Sequence, residues 1–327
     1  MANPTARLAI IIVNWNTGPL LRLCLQSILT TEREGLRLDR VVVVDNASDD
    51  GSADGLEQLG LPLTVIRNPT NRGFSAACNQ AAARSSADYL LFLNPDTRLL
   101  PGSLAVPVAF LESQGNEHVG IVGVQLLDDT GHVAHSCARF LTPGMILRKM
   151  LGWHRASSRA FPTHFMTDWD HQDSRVVDHV TGAFFLVRRP LFAGLGGFDE
   201  RFFVYLEDLD FSLRARNAGW RSVYLAEARA HHLGGGSSDR IRARRLFYAL
   251  HSRILYTYKH FDWWVATGLT LATLLLEMFS RLVLAVLRGS PREATDTLKA
   301  YYLLWTTIPA AASVARRRGS QPFGPPA

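Results

Sequence analysis

Residues 41–52, VVVVDNASDDGS, decide the fold. Four branched apolar residues in a row, ended by a carboxylate and then by a cluster of Asp, Ser and Gly, describe a strand buried on both faces where it leaves the core. A half-buried strand would alternate, and a helix would need a longer run with 3.6-residue spacing. Outward from this strand, residues 8–13 (LAIIIV), 63–66 (LTVI) and 89–93 (YLLFL) repeat the pattern. Between them lie stretches of helical spacing: Leu20, Leu21, Leu23, Cys24, Leu25, Ile28 and Leu29, then residues 74–84. This alternation predicts an α/β fold, a mostly parallel central sheet flanked by helices. Ligands of such sheets bind beyond the carboxyl ends of the strands. The polar residues that end strands are therefore where chemistry is expected: Asn14 and Asn16, Asp45, Asn68, and Asn94 with Asp96.

The chain of 327 residues, 47% apolar and 20% charged, can bury a large α/β domain and still carry an appendage. Its net charge of +6 suggests an anionic partner. Charge alone leaves nucleic acid, anionic lipid and nucleotide phosphates open. Cys24, Cys78 and Cys137 have no metal-knuckle or redox spacing, so they read as small buried hydrophobes in a reducing compartment. The run at 8–13 is too short for a signal peptide and reads as the first strand.

Further along, residues 139–176 have no clear period and read as a loop-rich insertion. Residues 176–187 return to strand character, 206–218 are helical up to Gly219, and 222–230 form a last strand. From about residue 240 the composition shifts. Residues 263–276 (WWVATGLTLATLLL) carry no charge, but at 14 residues they are too short for a confident membrane span. Glu277 and Arg281, four apart, can pair on a helix. A second aromatic-apolar patch, Tyr301 to Ile308, precedes Arg316, Arg317 and Arg318. Apolar helices flanked by Trp and Arg suit an interfacial anchor, and a helical subdomain or homodimer interface is the plainer alternative. The expected division is a catalytic domain at 1–239 and a helical C-terminal region, membrane-associated, at 240–327.

Seven segments appear in order: IIIVNWN (10–16), VVVVDNASDDGS (41–52), NRGFSAACN (71–79), FLNPD (92–96), TGAFFLVRR (181–189), GGFDERFFVYLEDLDFSLRARNAGW (196–220) and HHLGGGSS (231–238). Over residues 8–260 the chain thereby resembles the family 2 glycosyltransferases of GT-A fold, nearest the bacterial rhamnosyltransferase-like branch. The resemblance implies an inverting transfer of a sugar from a nucleotide-diphosphate donor, dTDP-rhamnose before UDP-sugars, onto a lipid-linked or polysaccharide hydroxyl. It implies a cytoplasmic enzyme, peripheral at the inner face of the plasma membrane, using Mg²⁺ or Mn²⁺.

The resemblance also assigns residues. Asp45 matches the Asp that hydrogen-bonds the nucleotide base, since a carboxylate accepts from the imide N–H of uracil or thymine. With Asn14 and Asn16 it belongs to the donor-binding set. Asn71, Arg72, Gly73, Phe74 and Asn79 match the segment that wraps the donor, where a glycine lets backbone approach and a helix start favours phosphate. Asn94-Pro95-Asp96 stands where the fold carries an Asp-any-Asp motif; Asp96 is the expected metal ligand, and Asn94, which departs from the pattern, is left to ribose or a metal-bound water. Asp208, the second acid of Glu207-Asp208-any-Asp210, matches the base that deprotonates the acceptor hydroxyl, with Glu207 beside it. Two acids opening a helix would also suit its dipole. His232, with Gly235 and Ser237, fits the His that completes the metal site, and His231 is the runner-up. Phe202, Phe203 and Tyr205 either shape an acceptor pocket or pack the core. His154, His164, His171 and His179 are expected to be solvated or core residues.

Other classes fit less well. A nucleotidyltransferase would open with a Gly-rich triphosphate loop, which residues 14–19 (NWNTGP) lack. A non-catalytic scaffold on the same fold would not need Asp96, Asp208 and His232. No nucleic-acid motif accompanies Arg240 to Arg245. The processive Gln-any-any-Arg-Trp motif is missing, which favours single additions.

Overall fold

The structure, a computed structural model, describes residues 5–151, 164–234 and 242–318, with side chains through 307. Among them two compact units separate: residues 5–140, 164–203 and 207–234 form the first, and 141–151, 204–206 and 242–318 the second.

The first unit is built on a nine-stranded sheet. Its strands are β1 (Ala6–Asn14), β2 (Leu36–Asp45), β3 (Leu63–Arg67), β4 (Tyr89–Leu93), β5 (Thr97–Leu99), β6 (Val119–Leu127), β8 (Arg175–Val177), β10 (Phe184–Arg188) and β11 (Arg221–His232); β7 (Cys137–Ala138) and β9 (His179–Val180) form a separate pair. The order is β3-β2-β1-β4-β10-β6-β11-β5, with β8 against β11. β1, β2, β3, β4, β6 and β11 run one way and β5, β8 and β10 the other, so the sheet is mostly parallel as expected. Chain order reverses about β1, which pairs with β2 on one side and β4 on the other. This puts Asn14, Asp45 and Asn94 at one edge of the sheet.

The continuous apolar strands are buried on both faces because helices cover both. Ile10, Ile12, Val41 and Val43 face a cluster with Leu21, Cys24, Leu25 and Ile28 of α1 (Leu20–Thr30). Ile11, Val42 and Val44 face Ala77, Cys78 and Ala81 of α2 (Phe74–Ala82), and the same side holds Phe192 of α5 (Arg189–Gly194) and Phe211 of α6 (Glu207–Asn217). α3 (Ala105–Glu112) covers the far end of the first face. All three cysteines are buried and free.

Two stretches differ from the sequence reading. Residues 139–176 are not all loop: α4 (Pro143–Met150) starts at Thr142, whose Oγ1 accepts the Met145 N–H at 3.2 Å, with Pro143 in the first turn. Residues 176–187 are three strands rather than one, because Asp178 turns aside to accept the Phe140 N–H and Gly182 interrupts the ladder.

The second unit holds α4, α7 (Arg242–His260), α8 (Trp263–Ala272), α9 (Met278–Leu287) and α10 (Pro291–Arg318). A π-helical turn over Thr273–Glu277 joins α8 to α9. The result is one continuous helix, Trp263–Leu287, long and apolar enough by length and composition to cross a membrane. The sequence reading ended the uncharged run at residue 276 and had Glu277 and Arg281 pair on a helix. Here Glu277 is buried between Arg253 and Arg281, with Arg281 Nη2 2.8 Å from its Oε1, so the charge is neutralised inside the unit and the helix continues.

Candidate active site

Beyond the ends of β1 and β2, Asn14 Nδ2 donates to Asp45 Oδ1 at 2.9 Å and to Ser52 Oγ at 2.8 Å, while Asn14 Oδ1 accepts from Thr17 Oγ1. Asn16, at φ 52°, accepts the Asp49 N–H on Oδ1 at 2.9 Å. Asn14 thus holds the loop after β2 with its whole amide, and Asn16 through its Oδ1. Asp45 keeps Oδ2, 4.0 Å from Arg67 Nη1, available as an acceptor.

The segment before α2 is held by the protein itself. Asn46 Nδ2 donates to Gly73 O at 3.0 Å, and Asn71 Oδ1 accepts the Gly73 N–H at 2.9 Å. What comes close to Gly73 is the chain itself. A Cβ there would meet Phe203 O at 2.6 Å, and φ is +85°, so only glycine fits. Phe203 O also accepts the Phe74 N–H at 2.6 Å, and Phe202 O the Ser75 hydroxyl at 2.6 Å, tying the start of α2 to that loop. Asn79 faces residues 198–200, donating to Phe198 O at 2.8 Å and accepting the Phe198 N–H at 2.9 Å. Arg72 is the member of this group with an exposed guanidinium lacking a partner among the described residues. Phe202 is buried and packs the core.

After β4 the chain turns through Asn94 and Asp96 into β5, which pairs with the end of β11, His232 opposite Thr97. This register sets His232 Nε2 3.3 Å from Asp96 Oδ1 and 3.4 Å from Asn94 Nδ2. His231 points the other way, with Nδ1 3.3 Å from Asp128 O. Gly235 and Ser237 lie outside the described residues. Among the described residues no three His, Cys, Asp or Glu side chains gather around one point. A hard divalent cation on a diphosphate needs only one or two protein donors, the rest being phosphate and water oxygens; cis ligands about 2.1 Å from it lie about 3 Å apart. The Asp96–His232 pair fits that requirement.

α6 presents the three acids in three environments. Asp210 is fully buried and accepts from Arg214 Nε at 2.9 Å; Arg214 also donates to Leu195 O and Gly197 O at 2.8 Å each, pinning the helix to that loop. Glu207 is buried with Oε2 unpartnered among the described residues, and burial, then Asp208 and Asp210, push its carboxyl well up. Asp208 alone keeps access to solvent, with 18% of its side chain exposed. Burial pushes its carboxyl up, yet His179 nearby and the backbone N–H groups of Leu209 and Gly182 bring it below the usual carboxylate value. Gly182 N donates to Oδ2 at 2.8 Å and Leu209 N to Oδ1 at 2.8 Å. The two residues before the helix, Tyr205 and Leu206, take left-handed φ of 71° and 66°, backbone strain of the kind that gathers at active sites.

Sequence reading missed two neighbours of Asp208: Gly182, inside a quoted motif but given no role, and His179, buried with Nε2 3.5 Å from Asp208 Oδ2. His171, also expected in the core, is fully buried and stacks on Trp169. Segment 182–183 links the two halves of the site. While Gly182 holds Asp208, Ala183 O accepts the Asn94 N–H at 3.1 Å and the Thr97 hydroxyl at 3.2 Å.

A doubly covered sheet with a carboxylate-ended second strand, a Asp–His pair and a solvent-facing acid at the same edge defines a GT-A nucleotide-sugar transferase fold. The chain belongs to glycosyl transferase family 2, whose family model matches residues 9–196. It is 30% identical over 280 residues, 79% of this chain and 87% of the other, to the N-acetylglucosaminyl-diphospho-decaprenol L-rhamnosyltransferase of Mycobacterium tuberculosis. Over 148 residues, 44% of this chain and 52% of the other, it is 32% identical to the rhamnosyltransferase WbbL of Escherichia coli. In fold it is similar to a mannosyltransferase of Pyrobaculum calidifontis in complex with GDP-Man and Mn²⁺, at TM-score 0.54 and 19% identity over 98% of this chain and 89% of that one.

Proposed function

We propose that the chain is an inverting glycosyltransferase that moves a sugar, with dTDP-rhamnose the first candidate donor and UDP-sugars next, onto a hydroxyl of a lipid-linked or polysaccharide acceptor. The observation that carries this reading is the Gly182–Ala183 link, which fixes Asp208 and the Asn94–Asp96 turn to one short segment. Asp208 is the base: it is the one acid of α6 both ionised and open to solvent. Asp45 Oδ2 takes the imide N–H of the base, and Arg72 faces the diphosphate. Asp96 and His232 would hold Mg²⁺ or Mn²⁺, which supplies Lewis-acid neutralisation of the leaving diphosphate. The similarity to the mycobacterial decaprenol rhamnosyltransferase and to a Mn²⁺-bound mannosyltransferase supports the acceptor class and the metal. Attack from the face opposite the leaving group inverts the anomeric centre.

Residues 1–239 carry the transfer in this reading, and 240–327 carry contact with the inner face of a membrane, where a lipid-linked acceptor would be met. The exposed Trp263, Trp264, Leu275 and Phe279 of the second unit support that contact. The test is release of nucleoside diphosphate from a panel of nucleotide sugars with Mg²⁺ or Mn²⁺. Slow release from one donor, lost with EDTA and in Asp208→Asn, is expected. No release and no calorimetric binding of any donor would point instead to a non-catalytic scaffold.

A further inference from the structure

His179 belongs to none of the roles assigned so far. It is buried at the end of the two-residue ladder with β7, and both ring nitrogens meet the same helix: Nε2 is 3.5 Å from Asp208 Oδ2, and Nδ1 is 3.0 Å from the hydroxyl of Ser212, one turn further along α6. Ser212 is itself buried. The nearest aromatic ring, Phe185, is tilted 6.4 Å away, so ring stacking does not account for an imidazole at this position. Asp208 Oδ2 has a second partner in the Gly182 N–H. We propose that His179 is a positioning residue for Asp208, its ring bridging Oδ2 through Nε2 and the Ser212 hydroxyl through Nδ1 and so leaving the outward lone pair of Oδ1 for the acceptor's proton.

This rests on the reading of Asp208 as base. In the step itself the acceptor O–H bond breaks and its proton goes to Asp208 Oδ1. The acceptor oxygen bonds to the anomeric carbon as the bond from that carbon to the diphosphate oxygen breaks. His179 keeps the carboxylate turned outward, and its ring beside Oδ2 favours the ionised form. The titratable groups around Asp208 are His179 from β9 and Glu207 beside it on α6, and Glu207 is held neutral by burial. Of the two neighbours, His179 is therefore the one that stabilises the charge on Asp208.

The test is kcat and KM for donor turnover against pH in the full chain, for the parent, His179→Phe, His179→Gln, Ser212→Ala and Asp208→Asn. In His179→Phe, kcat is expected to fall about tenfold or more with donor KM unchanged, and the acid limb of kcat/KM to move to higher pH by about one unit. Glutamine carries an amide donor near the position of Nε2, so His179→Gln should recover most of kcat and return the limb. Should His179→Phe fail to fold, Ser212→Ala is expected to move the limb the same way by a smaller amount, because the ring loses its second anchor. An acid limb that stays put in every folded His179 and Ser212 variant would overturn the proposal and leave His179 as core packing. An active Asp208→Asn would instead overturn the base assignment, whatever the His179 variants do.

Discussion

The Gly182 N–H donates to Asp208 Oδ2 at 2.8 Å, and a methyl group at position 182 would stand 3.0 Å from that same oxygen. The close contact and the hydrogen bond come from one backbone position, so side-chain size at 182 controls where the carboxylate sits. Gly182→Ala must push Oδ2 by a few tenths of an ångström or weaken its bond. The expected result is a fall in kcat of about tenfold, roughly 1.4 kcal/mol of barrier, with donor KM within about twofold. Steady-state kinetics on the preferred donor measures it. An unchanged kcat would mean that this hydrogen bond does not position the base.

Glu207 and Asp208 are adjacent in sequence and opposite in character. Burial holds the Glu207 carboxyl far above its ordinary value, so it stays protonated in the folded chain while it ionises in the unfolded one. Below the unfolded value of about 4.3 the group has no effect on stability; as pH rises from there towards the folded value, stability is lost. Glu207→Gln cannot ionise and escapes that loss. Its melting temperature relative to the parent is expected to rise steadily as the pH is raised above about 4. Its activity should stay within about threefold of the parent, while Asp208→Asn loses about a hundredfold or more. Parallel melting curves across that range would show that Glu207 is not held neutral.

Asp96 and His232 are set 3.3 Å apart by the β5–β11 register, and His231 faces Asp128 instead. Asp96→Asn and His232→Ala are each expected to raise the Mn²⁺ or Mg²⁺ concentration for half-maximal donor turnover by about tenfold or more. His231→Ala should leave it within about twofold. A metal titration of the three variants decides between the two histidines.

The parallel strands and the edge where chemistry gathers were legible because each strand is an unbroken apolar run ended by a polar residue, as at Val44–Asp45 and Leu93–Asn94. What each polar residue does there was less so. Asn14 and Asn79 spend their amides on Asp45, Ser52 and Phe198, and Asn16 accepts from Asp49 on its Oδ1. Gly73 is needed for the approach of Phe203, 130 residues away in sequence, which no local pattern encodes. His179 reaches Asp208 only because β9 packs against α6, and a single His in a short strand carries no signal of that. Glu277 read as the end of an apolar run because its partner Arg253 lies on another helix.

Asp210 completes the acidic motif from a buried position. It is fully buried, and through Arg214 it ties α6 to the carbonyls of Leu195 and Gly197. Removing one charge of such a pair leaves the other uncompensated, at a cost of about 3–5 kcal/mol. Asp210→Asn and Arg214→Met are therefore expected to lower stability by that order in denaturant unfolding, with KM for the donor little changed in whatever fraction stays folded. A stable Asp210→Asn that has lost turnover would move Asp210 into the reaction.

The helix Trp263–Leu287 passes a length and composition test for crossing a membrane, yet its burial is one-sided. Ala266, Leu269, Thr270, Thr273, Glu277 and Ala285 face inward, where Glu277 meets Arg253 and Arg281 and Thr273 O accepts the Tyr301 hydroxyl at 3.1 Å. Trp264, Leu271, Leu275, Phe279 and Val286 face outward at 79%, 53%, 59%, 68% and 75% exposure. Leu298, Tyr302 and Trp305 of α10 add a second outward stripe at i, i+4, i+7. In the proposed membrane contact this helix would lie in the plane of the interface, apolar face down, with exposed Arg288, Arg292 and Lys299 towards anionic headgroups. Trp264→Ser with Phe279→Ser is expected to weaken sedimentation with vesicles containing phosphatidylglycerol by about a hundredfold or more, the scale of losing two buried aromatic anchors at roughly 1.5–3 kcal/mol each. Turnover of a soluble nucleotide sugar should be unaffected. Equal vesicle binding by parent and variant, together with a parent that sediments as a dimer and a variant that does not, would assign this face to a second copy of the chain instead.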